Sequence, residues 1–113
     1  MIKKNEPWYT ARCLFSHKDI PRCKKYVYEE RVLLIKADNE DQAFEKALAD
    51  AKKYASADPN VEFTGQIDLF HLYDEKIEDG TEVYSVMNES PMEKLDYIKR
   101  FYLRGKYVGK EAN

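Results

Sequence analysis

The side chains most able to do chemistry in this 113-residue chain are two histidines, two cysteines and the carboxylates in predicted strands, and none falls into a catalytic pattern. Asp68 and His71 stand three residues apart, which on a regular strand places them on opposite faces, so an acid–base pair there would need a bulge. His17 precedes a polar turn and reads as an exposed turn residue. No GxSxG or comparable word supports a serine–histidine or cysteine–histidine triad. Glu29, Glu30 and Glu82 could serve a small hydrolase if two of them met across a cleft. The simpler expectation is that the strand glutamates oppose Arg12 and Arg31 as cross-strand ion pairs on a solvated patch. No catalytic residue is therefore assigned.

Cofactors and metals find as little support. The glycines at 65, 80, 105 and 109 stand singly, so no phosphate-cradling loop can form and no cofactor is expected. Cys13 and Cys23 flank a predicted turn and could face each other across a hairpin, but two cysteines make no disulfide framework, and reduced thiols are expected. Without a CxxC or a cysteine–histidine cluster, no metal site is expected either.

One segment mixes charge and aromaticity. Tyr97 to Lys110 holds five basic residues and no acidic one, and Lys99, Arg100, Tyr102, Arg104 and Lys106 are the residues that would stack bases and neutralise phosphates if it bound nucleic acid. Cations also suit the last turn of a helix for local reasons. The whole chain carries 19 basic and 21 acidic residues, a net charge of −2, and so lacks the broad positive field of a nucleic-acid binder. Nucleic acid is not the expected partner.

The positioning elements follow from hydrophobic periodicity. Trp8 to His17 alternates, with Tyr9, Ala11, Cys13 and Phe15 on the drier register, and predicts a first strand. Lys18 to Arg22, with Pro21, predicts a turn. Lys25 to Ala37 predicts a second strand whose centre, Val32 to Ile35, is apolar on both faces. Asn39 and Gln42 form a capping-box pair that opens a helix over 39–57, with a stripe of Ala43, Phe44, Ala47, Leu48 and Ala51, in which Phe44 and Leu48 are expected to carry the burial. Val61 to Tyr73 predicts a third strand with a bulge at Gly65, and Thr81 to Met87 a fourth, in a second hairpin. Ser90, Pro91 and Glu93 predict a second helix over 90–104, with Gly105 closing it.

The expected fold is therefore α+β: a four-stranded, mostly antiparallel sheet in the order ββαββα, one helix on the sheet and a second, C-terminal helix. We read residues 1–113 as a single domain, with a core over about 7–104 and a flexible tail over 105–113. The first helix covers one sheet face. The other needs the second helix or a second copy of the chain. No readable signal peptide and no membrane-length apolar run lead to the expectation of a cytoplasmic protein without a membrane partner.

Three stretches in order, Trp8 to Phe15, Tyr28 to Ala37 and Gly80 to Ser85, resemble the bacterial family known as domain of unknown function 4288, over roughly residues 7–88. The resemblance implies a fold and a bacterial or phage setting, and no activity. We read the chain as a small non-enzymatic interaction module for a protein partner or for itself as a homodimer, an inhibitor or immunity-type protein being the more pointed version. Trp8, Tyr26, Tyr28 and Tyr84 are its expected contact residues. A nucleic-acid binder and a small hydrolase are the alternatives.

Overall fold

Five elements follow one another in the computed structural model, which describes residues 7–22, 26–74, 76–102 and 105–109: β1 (Trp8–His17), β2 (Val27–Lys36), α1 (Glu40–Ser56), β3 (Val61–His71) and α2 (Lys94–Phe101). β1 is the central strand, antiparallel to β2 on one side and to β3 on the other. β2 and β3 consequently run parallel to each other, and α1 is the crossover that such a pair requires.

In β1 one register is buried from Tyr9 to Phe15, and Thr10 is buried on the other. Tyr9, Ala11, Cys13 and Phe15 are all buried beneath α1. Trp8, Thr10, Arg12 and Leu14 point to the opposite face. In β2 the odd positions from Val27 to Ile35 share the α1 side, and the even positions from Tyr28 to Lys36 are exposed on the other.

α1 starts where its cap-type residues stand. The Asn39 side chain accepts from the Gln42 backbone N–H at 2.8 Å, and Gln42 returns the bond to the Asp38 N–H at 2.6 Å, one residue before the expected partner. Glu40 and Asp41 occupy the first turn and Lys53 the last, each complementing the helix dipole. The buried residues of α1 are Ala43, Ala47 and Ala51, while Phe44 is 43% exposed and Leu48 half-buried. This corrects the expectation that Phe44 anchors the helix. The alanines bring the helix axis so near the sheet that a larger neighbour on the stripe is displaced sideways.

The expected four-stranded sheet is not formed: the sheet has three strands in the order β2-β1-β3, and the element order is ββαβα. Thr81 to Met87 has the alternation of a strand but lies outside the ladder, and it crosses the open face instead. Thr10 donates its hydroxyl to the Val83 carbonyl, and the Tyr84 ring sits 5.8 Å from that of Phe70. Alternation records two different surroundings, not a hydrogen-bonded neighbour. The edge it would have joined, β3, is also bent. Between the pairs Cys13–Ile67 and Phe15–Phe63 the register shifts on β3, where Gly65 adopts φ +97° and Thr64 Oγ1 donates to the Leu14 carbonyl at 2.9 Å. Such a bulge spoils a straight ladder for another strand.

The second helix is shorter than expected. Ser90 Oγ accepts from the Met92 N–H at 3.1 Å, but the helix begins only after Glu93, whose side chain makes no cap bond, and it ends at Phe101, before Gly105. α2 buries no residue and does not pack on the sheet or on α1. The cover of the open face is therefore the 81–87 segment rather than α2.

Candidate functional site

Two clusters of polar side chains form, one on each face of the sheet. On the α1 side, the hairpin register sets His17 opposite Val27 and Phe15 opposite Glu29, so His17 and Glu29 are diagonal neighbours. His17 Nε2 lies 2.8 Å from Glu29 Oε1. From the last turns of α1, the Tyr54 hydroxyl donates to the same carboxylate at 2.9 and 3.0 Å. The Tyr54 ring rests edge-on against buried Phe15 at 4.8 Å, with the Arg31 guanidinium 4.2 Å from its centroid, and Arg31 in turn pairs with Asp50. Hydrogen bonding from His17, aided by Tyr54, holds the Glu29 carboxyl below its ordinary range. The bond to Glu29, with burial second, pushes the Tyr54 phenol up.

This cluster borders a hollow of about 740 Å³, with Val27, Val61 and Phe63 on its walls and Lys18 and Lys52 beside them. His17 oriented by a carboxylate supplies two of the three members of a nucleophilic triad. The serines that share the hollow are engaged elsewhere, however: Ser16 Oγ donates to Glu62 at 3.3 Å and Ser56 Oγ to the Lys53 carbonyl at 2.8 Å. Cys13 is wholly buried, and burial raises its thiol pKa, away from a reactive thiolate. What the cluster does here is tie β1, β2 and α1 together at one end.

On the open face Arg12 is the hub. It reaches Asp68 at 3.0 Å on β3 and Glu30 at 3.3 Å on β2, and lies 5.0 Å from the Tyr84 centroid. Gln66 donates to the other Asp68 oxygen at 2.9 Å. The Arg12 bond, then that of Gln66, holds the Asp68 carboxyl low. Glu30 thus has the arginine partner expected of a strand glutamate, whereas Glu29 takes His17 and Tyr54, and Arg31 takes Asp50. Asp68 and His71 stay on opposite faces: His71 stacks on Tyr9 at 4.4 Å. Among the described residues no group of three or more histidine, cysteine, aspartate or glutamate side chains is placed to hold a metal ion.

The four expected contact residues do not meet. Trp8 is half-buried at one end of the open face with the Lys36 ammonium 5.7 Å from its ring, and Tyr28 lies at the other end, opposite Ser16. Tyr84 is used internally, and Tyr26 precedes β2 as an exposed residue. Beside Tyr28, which is 59% exposed, the same face of β2 presents Val32 at 53% and Leu34 at 46%. Apolar character on both registers of β2 had suggested cover on both sides, and the even register is left about half exposed. Of the basic–aromatic segment, Lys99 and Arg100 are exposed in the last turn of α2, Tyr102 and Lys106 are exposed beyond it, and the Tyr97 ring packs on Phe101 at 4.7 Å. Arg104, like Cys23 and the cross-hairpin pairing considered for it, lies outside the described residues.

Residues 8–85 match the family model described as "Domain of unknown function (DUF4288)". The chain belongs to this family. The DUF4288 match takes in the whole sheet, α1 and the 81–85 part of the crossing segment, and stops before α2. Comparisons with curated proteins and with solved structures found no match. Among the described residues no helix of this DUF4288 member is long and apolar enough to cross a membrane.

Proposed function

We propose that the protein is a non-enzymatic interaction module that receives a protein partner on the β2 side of its open sheet face. The observation that carries this is the row Tyr28, Val32 and Leu34, three large apolar side chains at even positions of one edge strand, each about half or more exposed. Water is expelled from such a row when a partner covers it, at about 25 cal/mol per Å² of apolar surface buried. Tyr28 adds a rigid aromatic with a polar tip, a side chain favoured at interfaces. The Arg12 hub fixes the neighbouring part of the face, so the row is presented on a preorganised surface.

Affinity capture from a native host, with wild type and Val32→Asp compared side by side, tests the reading. A partner retained by wild type, lost by the variant and rebound when both proteins are pure is the expected result. A partner that binds both forms equally places the interface elsewhere.

A further inference from the structure

We propose that β2 pairs with β2 of a second copy of the chain, antiparallel and centred on Leu33, to join two sheets into one; the proposal rests on the interaction reading and names its partner.

The two edges of the sheet differ. β3 carries the Gly65 bulge, a device that blunts an edge. β2 is ten residues long, contains no proline, keeps an unbroken register with β1 and, among the described residues, has no strand along its other edge. The direction of its backbone groups follows from the ladder. The Ala37 N–H donates to the Pro7 carbonyl at 2.9 Å, so odd positions of β2 face β1, and Tyr28, Glu30, Val32, Leu34 and Lys36 point their N–H and C=O groups outward. The Leu72 N–H donating to the Trp8 carbonyl at 3.0 Å shows the same alternation on the β3 side.

A two-fold axis normal to the sheet keeps both copies of α1 on one side and pairs even positions with even positions. Among such registers, centring on Arg31 sets two guanidinium groups face to face, and centring on Val32 or Leu34 sets charged residues against valine or leucine. Centring on Leu33 pairs Glu30 with Lys36 twice and Val32 with Leu34 twice. Opposite charges and apolar side chains directly across a strand pair favour association, and one patch matching its own copy is the commonest closed symmetry. α1 packs most extensively on β3, away from the seam. Lys46 Nζ already donates to the Lys36 carbonyl at 2.6 Å, and the second lone pair of that oxygen remains for the partner's Glu30 N–H.

Sedimentation of the full chain across nanomolar to high micromolar concentration reads the proposal. A mass rising from 13.4 kDa to twice that value is expected. Lys36→Glu, which sets like charges across the seam, should weaken the dimer roughly tenfold or more. Val32→Pro removes an outward N–H that the β1 ladder does not use, and should give a folded monomer, with circular dichroism confirming the fold. In a Cys23→Ser background, Leu33→Cys should form an intermolecular disulfide, because the central pair is of the non-hydrogen-bonded kind with Cα atoms about 4.5 Å apart. A dimer indifferent to Lys36→Glu and Val32→Pro would overturn the pairing, as would a constant 13.4 kDa mass. In either case the capture comparison with Val32→Asp still judges the interaction reading separately.

Discussion

Thr10, on the central strand and 1% exposed, gives its hydroxyl hydrogen to the backbone carbonyl of Val83, 73 residues further along the chain. That bond pins the 81–87 segment to the open face. Thr10→Val keeps the shape and removes the donor, so stability should fall by about 1 kcal/mol. The sharper readout is local: amide exchange and proteolysis should accelerate in 81–87 and stay unchanged in β1. Equal protection in both proteins would mean that the Tyr84 contacts hold the segment without Thr10.

The alanine face of α1 leaves no room for growth. Ala47→Leu should destabilise by roughly 1 to 3 kcal/mol in denaturant melts through overpacking. Phe44→Ala, at an exposed position, should stay within about 0.5 kcal/mol. A larger loss for Phe44→Ala than for Ala47→Leu would reverse the assignment of the helix face.

Gly65 supports the bulge through its positive φ, where a Cβ would meet no atom within 4 Å yet the backbone angle is costly for an L side chain. Gly65→Ala should therefore cost about 1 to 2 kcal/mol from conformation alone. Gly65→Asn should recover part of the loss, since asparagine tolerates left-handed angles better than alanine. If alanine and asparagine melt alike, the bulge does not hold that angle in solution.

Acid stability should report the two depressed carboxylates. Because Glu29 and Asp68 titrate lower in the folded chain than when unfolded, each adds stability that is present above the ordinary carboxylate range and lost as pH falls through its folded value. Arg12→Met removes the main cause for Asp68. The variant should show a smaller stability difference between neutral pH and about pH 3 than wild type does. Parallel pH profiles would mean that the Arg12–Asp68 pair contributes nothing measurable, as exposed pairs often do.

β1 and the start of α1 were legible because each rests on one dominant local rule. In β1 a single buried face shows in Tyr9, Ala11, Cys13 and Phe15, and at Asn39 a side chain satisfies an orphan backbone donor. The stripe of α1 was ambiguous: Ala43–Ala47–Ala51 and Phe44–Leu48 are adjacent rows on one helix, hydrophobicity favours the second, and close approach to the sheet favours the first. The Thr81 to Met87 segment was misassigned because its alternation arises from lying across a face. His17, Glu29 and Tyr54 went unrecognised as a group since their meeting depends on the hairpin register and on α1 ending above Glu29. The expected turn at 18–22 is centred on residue 20 and would set Glu29 opposite Ala11, whereas the observed register is centred on residue 22 and sets it opposite Phe15, diagonal to His17.

The Thr10–Val83 contact also orders events in time. Ribosomal synthesis delivers β1 and β2 early, and they pair through a short connection, whereas residue 83 emerges after every strand exists. Throughout that interval Thr10, Arg12 and Phe70 lie open to the cell. Closure of the crossing segment can only follow assembly of the sheet during synthesis, and a chain cut short before residue 81 would keep its sheet but expose the surface that residues 81–87 conceal.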